Sequence, residues 1–319
     1  MKGVVKFATL LAATVFLVSC SKESKTVIGS IVFDENGEWF EEAIAGMRDA
    51  AKSLDVVLEE RNSHYDLGVE KDLVNEHLKN KAKAIVICPL AEETGRVLLQ
   101  AKTIGVPVIT WNTVVSPEPT AQVVVDSVKL GSATADYLAS YIERNNITGL
   151  KTALITNETY SVGVARCDGF INTIEPLIQK GAMEIVYETR SELTEETLVN
   201  VQKMLKERPD IEFIWCWNQT TLLATMSVLK ELGRTDILVA GTDMSVSLAR
   251  EMLAENGQLL AVTTQQPYKL GYEAVVNAVK AVKNEEIQFS IVIPTITYNK
   301  EDADSLKEYI KTHEKFERK

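Results

Sequence analysis

The chain has few of the residues that most often carry catalysis or bind metal ions. It contains three histidines, and His64, His77 and His313 are scattered without a second ligand at metal-site spacing. The acidic cluster at residues 34–38 lacks the ordered alternation of a calcium loop. The sequence also lacks a Gly-x-Ser-x-Gly motif, a phosphate loop and a Cys–His pair of nucleophile and base. We therefore expect a protein that is not an enzyme and that needs no metal and no cofactor.

Cysteine is also scarce. Apart from Cys20, the chain has Cys88, Cys167 and Cys216, an odd number whose spacing matches neither a disulfide framework nor a zinc site. Each lies in or beside an apolar run, which favours buried free thiols. The sequence alone does not decide whether two of these cysteines form a disulfide.

Long apolar runs are limited to the N-terminus. Lys2 and Lys6 precede an apolar stretch from Phe7 to Val18, which is shorter than the ~20 residues of a stable membrane span. This pattern predicts a secretory signal peptide over residues 1–19. No later segment is apolar and long enough to cross a membrane.

The end of this signal is more specific. Residues 17–20, Leu-Val-Ser-Cys, are similar to the lipobox of bacterial lipoproteins. The resemblance implies cleavage before Cys20 and a lipid on its sulfur, with residues 20–26 as the lipidated tether. An ordinary signal peptide that happens to end in cysteine is less favoured, because the polar residues 21–26 follow. We expect an extracytoplasmic protein that is lipid-anchored to the membrane, at the periplasmic face or the cell surface.

Basic residues are outnumbered. The chain has 34 Lys and Arg against 45 Asp and Glu, for a net charge of -11. Removal of residues 1–19 would take away two more positive charges, Lys2 and Lys6. Nucleic acid binding needs a basic surface, so we expect no nucleic acid partner.

The remaining chain alternates short apolar runs with amphipathic helices. This alternation predicts an α/β fold with parallel sheets and helices on both faces. The first series of predicted strands covers residues 27–33, 56–60, 84–88, 107–111 and 122–125. The second series covers residues 152–156, 183–187, 213–217, 237–241 and 260–264, and residues 292–298 form one late extended segment. Among the helices, Leu222–Leu232 has helical periodicity and Gly233 is its stop signal.

Aromatic and polar residues follow the predicted strands. In open parallel sheets, ligands bind beyond the carboxyl ends of the strands. Flat rings can pack on the C–H faces of a sugar, while Asn, Gln, Asp and Arg bind its hydroxyls directionally. The candidate ligand residues at these positions are Trp39, Phe40, Asn112, Arg166, Trp217, Asn218, Asp243 and Gln265.

Several segments together resemble one protein family. They are the Trp39-Phe40 helix start, IGVPVITWN at 104–112, 125–138 with Asp126 and Gly131, RCDGF at 166–170, residues 217–219, GTD at 241–243 and QQPYKLG at 265–271. In order and spacing, residues 26–300 resemble the periplasmic sugar-binding proteins of ABC importers, which include the ribose- and galactose-binding proteins (type I periplasmic binding proteins).

The resemblance implies a fold and a mechanism. Two Rossmann-like lobes would be joined by a three-strand hinge, with crossings near residues 125–126, 264–265 and 293–294. The N-terminal lobe would comprise residues 27–125 plus 266–292, and the C-terminal lobe residues 126–265 plus 293–319. The lobes would close on a small-molecule ligand, a sugar or sugar derivative, and the closed form would dock on an ABC permease. We expect a monomer.

The resemblance also implies roles for single residues. Trp39 and Phe40 match a ligand-stacking aromatic pair, and Arg166 matches a ligand arginine. Asn218, Asp243 and Gln265 match polar residues of the second lobe and the hinge. Asn112 lies where relatives usually have an aspartate. Ribose-binding relatives have Asp-Arg in place of Asn112-Thr113, so we infer a ligand with a flatter or more apolar face than ribose, such as a substituted sugar or a nucleoside-like molecule.

Some assignments stay open at this point. Trp111 could lie in the core or in the cleft, and Asp243 could cap the helix that follows it. Trp215 and Trp217 alternate on a strand, so we expect Trp215 in the core and Trp217 in the cleft. Asp126 is expected to cap a helix. A second function from another class is a receptor lobe that presents a sugar, nucleoside or quorum signal to a membrane sensor kinase.

Overall fold

The computed structural model describes residues 25–35 and 37–316. The predicted signal peptide, Cys20 and residues 20–24 of the predicted tether lie outside this part. In the described part, no helix combines the length and apolarity of a membrane span.

Strands and helices alternate along most of the chain. The strands are β1 (Val27–Val32), β2 (Val57–Asn62), β3 (Ala84–Ile87), β4 (Val108–Trp111), β5 (Ala121–Val125), β6 (Leu150–Thr156), β7 (Met183–Arg190), β8 (Phe213–Cys216), β9 (Leu238–Thr242), β10 (Leu259–Thr264), β11 (Ser290–Ile293) and β12 (Ile296–Asn299). The helices are α1 (Glu38–Ser53), α2 (Leu67–Lys79), α3 (Gly95–Thr103), α4 (Ser127–Arg144), α5 (Ser161–Gln179), α6 (Thr194–Glu207), α7 (Gln219–Glu231), α8 (Val246–Leu253), α9 (Pro267–Val282) and α10 (Ala303–His313). A 3₁₀ turn, Glu314–Phe316, follows α10.

The strands form two six-stranded sheets. The first has the order β11-β5-β4-β3-β1-β2 and is parallel throughout. The second has the order β12-β10-β9-β8-β6-β7 and is parallel except for β12, which runs antiparallel to β10. We call the first sheet with α1, α2, α3 and α9 the N-terminal lobe, and the second sheet with the other helices the C-terminal lobe. The predicted α/β class with two lobes is confirmed.

The strands of both predicted series are present, with ends that differ by a few residues. The late extended segment predicted over residues 292–298 comprises the end of β11 and most of β12, which lie in different sheets. Pro294, between them, has no N–H to donate to a ladder. The α7 helix ends at Glu231, and Gly233 adopts φ 63°, as the predicted stop requires.

The chain passes between the lobes three times, after β5, after β10 and between β11 and β12. Side chains at the C-terminal-lobe ends of the three passages contact one another. The Oγ1 atom of Thr134 in α4 lies 2.8 Å from that of Thr263 in β10, which lies 2.9 Å from that of Thr297 in β12. Gln266 Nε2 donates to the Pro294 carbonyl oxygen at 2.6 Å.

Glycines bring two helix pairs into backbone contact. A Cβ on Gly131 of α4 would clash with the Arg166 carbonyl oxygen of α5, and one on Gly169 of α5 would clash with the backbone of α4. In the N-terminal lobe, a Cβ on Gly271 of α9 would clash with the Ala43 carbonyl oxygen of α1. Both α4 and α9 begin directly after a passage between the lobes.

We expect Gly131→Ala to lower the free energy of unfolding by about 1–3 kcal/mol, because the new methyl group would force α4 and α5 apart. Urea denaturation measures the loss. Gly37→Ala is the matched control, since its Cβ would meet only Asp34 Oδ2 at 3.6 Å. An equal loss in both variants would contradict the close packing of α4 and α5.

The thiols of Cys88, Cys167 and Cys216 are free and buried. Burial raises the pKa of Cys167 to about 11 and that of Cys216 to about 12, and raises that of Cys88 as well. The thiols therefore stay protonated near neutral pH.

The stability should fall in alkali. Unfolded thiols ionise near their ordinary pKa of 9.0, whereas the folded thiols keep their protons to higher pH, so the free energy of unfolding decreases as the pH rises above 9. Urea denaturation across this range should show a shallower decline for Cys216→Ala than for the wild type. Identical slopes would show that this thiol is not shielded.

Candidate ligand-binding site

A buried guanidinium is the centre of a polar group in the C-terminal lobe. Arg166 of α5 is 3% exposed. Its Nη1 donates to Asp243 Oδ2 at 2.8 Å, to the Trp217 carbonyl oxygen at 2.8 Å and to Thr242 Oγ1 at 3.0 Å. Gln265 Nε2 donates to Asp243 Oδ1 at 2.6 Å. The structure thus joins three of the candidate residues, Arg166, Asp243 and Gln265, which we call the polar cluster.

The polar cluster is incompletely satisfied. Arg166 Nε is buried and has no hydrogen-bond partner among the described residues. Leaving such a donor unpaired costs about 1–3 kcal/mol, and a ligand oxygen would remove that cost. The Arg166–Asp243 ion pair balances the charge, so the cluster suits a neutral ligand with several hydroxyls.

The ring of Trp217 packs against the side chain of Arg166. The guanidinium lies 5.6 Å from the centroid of the indole ring, within range of a cation–π contact. The Trp217 side chain is 6% exposed, and its Nε1 donates to the Ser191 carbonyl oxygen at 2.8 Å. The placement of Trp217 in the cleft stays a prediction. Its buried ring restricts the position of Arg166. Trp215 lies in the core, as expected, stacked on Phe170 at 4.2 Å.

Aromatic rings follow β1 and β4 in the N-terminal lobe. Trp39 stacks on Trp111 with ring centroids 5.8 Å apart, and Phe40 lies edge-on to Trp39 at 4.9 Å and to Phe33 at 4.9 Å. We call these four residues the aromatic wall. Trp111 is fully buried beneath Trp39, which settles the open question in favour of the core. The Nε1 atoms of Trp39 and Trp111 are buried without a partner among the described residues.

One hydrogen bond joins the two lobes near the aromatic wall and the polar cluster. Val246 N donates to Glu38 Oε1 at 3.1 Å. Glu38 directly precedes Trp39, and Val246 lies three residues after Asp243. The start of α1 in the N-terminal lobe therefore lies beside the loop that carries Asp243 in the C-terminal lobe.

The two candidate asparagines have structural partners. Asn218 is the N-cap of α7, where its Oδ1 accepts from Thr221 N at 2.9 Å and from Thr221 Oγ1 at 2.9 Å. Asn112 Nδ2 lies 3.9 Å from Cys88 Sγ. Both side chains are partly exposed at strand ends, and their ligand roles stay predictions.

Backbone strain marks the strand ends. Asn112, Asp243 and Gln266 adopt left-handed φ values of 65°, 70° and 54°. Non-glycine residues rarely do so, and such strain often accompanies functional sites. Asp243 does not cap α8, because Ser245 is the N-cap. Asp126 caps α4 as expected, with Oδ1 accepting from Lys129 N at 3.0 Å.

Two further residues, Glu38 and Asn157, make contacts near the candidate site that the sequence analysis did not predict. Glu38 is only one member of an acidic cluster in the sequence, yet it contacts the other lobe. Asn157 follows β6 and is buried. Its Oδ1 accepts from Tyr160 N at 2.9 Å and its Nδ2 donates to Glu192 at 3.1 Å, which orders the turn before α5. Asn157 is one of the residues that the rule of strand ends selects, although we did not include it among the candidate ligand residues.

Comparisons with known proteins agree with this geometry. Residues 28–286 match the family described as periplasmic binding protein domain. The chain is 24% identical over 280 residues to the D-apiose import binding protein of Actinobacillus succinogenes. The alignment covers 86% of this chain and 87% of that protein.

Solved structures show the same fold. A periplasmic solute-binding protein of an ABC transporter from Actinobacillus succinogenes, with D-allose bound, has a TM-score of 0.79 at 19% identity and covers 88% of this chain and 100% of that chain. A carbohydrate transporter solute-binding protein from Agrobacterium radiobacter, in complex with D-arabinose, has a TM-score of 0.77 at 19% identity over 91% of this chain and 99% of that chain. The resemblance seen in the sequence is confirmed.

We expect Arg166→Ala to lower the free energy of unfolding by about 3–5 kcal/mol, because it leaves the Asp243 carboxylate buried without its partner. The double variant Arg166→Ala/Asp243→Ala should lose less than the sum of the two single variants, as measured by urea denaturation. Arg48→Ala, which breaks an exposed pair with Glu60, is the control and should cost less than about 1 kcal/mol. Additive losses at Arg166 and Asp243 would contradict the pairing.

Proposed function

Because the chain belongs to the periplasmic binding protein domain family, we propose that it binds a sugar or sugar-like small molecule between its lobes and delivers it to an ABC importer permease. The observation that carries this proposal is the unsatisfied Arg166 Nε in a buried, charge-balanced cluster. The relatives' names and bound molecules, D-apiose, D-allose and D-arabinose, support a sugar.

The polar cluster would bind the hydroxyls. Arg166 is a permanent donor, Asp243 accepts, and Gln265 can do both. A ligand that lacked a matching hydroxyl would leave one of these groups unpaired without water, and would bind more weakly. Selectivity would thus arise in the C-terminal lobe and at the passage after β10.

The aromatic wall would bind the flat face of the ligand. Trp39 is the half-buried ring of the stack and Phe40 lies beside it. Asn112, near them, is uncharged. This wall suits a substituted sugar or a nucleoside-like molecule better than free ribose. In this scheme Trp217 acts by supporting Arg166, and Asn218 adds a polar group at the end of β8.

Closure would follow from contacts to both lobes. A ligand held by the aromatic wall and by the polar cluster stabilises the closed arrangement by its differential affinity for it. We place the moving units at residues 27–125 plus 266–292 and residues 126–265 plus 293–319.

Family membership implies an extracytoplasmic location. We further propose that Cys20 carries a lipid anchor, which would keep a monomeric receptor close to the permease in the membrane.

A thermal-shift panel of monosaccharides, nucleosides and polyols tests the proposal. A ligand at 100 times its Kd should stabilise the protein by ~2.7 kcal/mol. Trp39→Ala should lower the affinity for that ligand, as measured by isothermal titration. Phe289→Ala, which removes an exposed ring before β11, should leave the affinity unchanged.

Two outcomes would contradict the proposal. A flat response across the panel would exclude a sugar-like ligand. Tight binding of free ribose or galactose, without binding of larger ligands, would exclude the flat-faced ligand class.

A further inference from the structure

Two glutamates on α1 point toward the C-terminal lobe. Glu38 and Glu42 are four residues apart, so they lie on one side of the helix. Glu41, between them, lies near Arg48, whose pKa is raised mainly by its hydrogen bond to Glu60 and also by Glu41. Glu60 of β2 pairs with Arg48 at 2.6 Å within the N-terminal lobe, and so offers a carboxylate for comparison.

Glu38 binds the start of a helix in the other lobe. Val246 is the first residue of α8, where backbone N–H groups have no partner within the helix and the helix dipole is positive. The side chain of Ser245 accepts from Leu248 N at 3.3 Å, and Glu38 Oε1 accepts from Val246 N at 3.1 Å. A carboxylate from the N-terminal lobe thus completes the cap of α8.

Glu42 has partners in both lobes. It is 4% exposed. Its Oε1 accepts from Tyr268 N of α9 at 3.3 Å and lies 3.5 Å from His313 Nε2 of α10. Burial, with Glu42 and Glu38 nearby, raises the pKa of Tyr309 in α10. A buried carboxylate is costly without partners, and one of the partners of Glu42 belongs to the C-terminal lobe.

We propose that Glu38 and Glu42 are positioning residues that hold the C-terminal lobe against α1, and so keep the aromatic wall beside the polar cluster before any ligand arrives. Rotation of the lobes away from this arrangement breaks the Glu38–Val246 bond and separates Glu42 from His313. The effect on ligand affinity rests on the proposed function, whereas the effect on the lobe arrangement does not.

Variants at both ends of one bond test the proposal. Glu38→Ala removes the acceptor, and Val246→Pro removes the donor at the first helical position, where proline is tolerated. Ser245, with φ -144° and ψ 168°, already has the extended conformation that precedes proline. Each variant should increase the radius of gyration of the ligand-free protein in small-angle X-ray scattering. Each should also raise the Kd of a bound sugar about threefold to tenfold.

Three further variants separate positioning from general damage. The double variant Glu38→Ala/Val246→Pro should be no more open than either single variant, because both remove the same bond. Glu38→Gln keeps an acceptor oxygen and should restore the wild-type radius. Glu60→Ala, which breaks an ion pair within the N-terminal lobe, should leave the radius unchanged. His313→Ala, which removes the C-terminal-lobe partner of Glu42, should open the protein as Glu38→Ala does.

Wild-type radii for Glu38→Ala, Val246→Pro and His313→Ala would overturn the proposal, as would additive effects of the first two. If no sugar binds the wild type, the proposed function fails, and the scattering comparison still decides the role of the two glutamates.

Discussion

Backbone contact between helices is the constraint on which the site depends. Gly131 lets α4 touch the carbonyl oxygen of Arg166, and Gly271 lets α9 touch that of Ala43. Because α4 and α9 each begin at a passage between the lobes, each lobe has a helix that connects this passage to the helix that carries its candidate site residues. Arg166 in α5 and Trp39 in α1 are thus held relative to the hinge by main-chain packing, which leaves little room for adjustment.

The polar cluster is stabilised by a balance of opposite charges in a region with little water. Arg166 and Asp243 offset each other's loss of hydration only while both stay in place. Trp217 and Thr242 restrict the guanidinium further. Arg166 Nε, which has no hydrogen-bond partner among the described residues, is therefore held in a fixed orientation. In the proposed function, preorganisation of this kind would lower the entropic cost of binding.

Local patterns were enough to predict the strands and the polar residues that follow them. Alternation of apolar runs and helices located both sheets, and the rule that ligands lie beyond strand ends selected Arg166, Asp243 and Gln265, which contact one another directly or through Asp243. Partners distant in sequence were beyond this reasoning. The burial of Trp217 and the bond between Glu38 and Val246 depend on how the lobes and loops pack. The capping role of Asn218 is local, because its partner Thr221 lies three residues further on, and an N-cap signal could have identified it.

The hydroxyl contacts among Thr134, Thr263 and Thr297 connect one element from each passage between the lobes. Three strands that moved independently would allow the lobes to slide and twist as well as to open. All three threonines belong to the C-terminal lobe, so their contacts fix the ends of the three passages relative to one another on that side, and Gln266 adds a bond to the Pro294 carbonyl oxygen. We therefore expect bending between the lobes to be concentrated on the N-terminal-lobe side of these contacts.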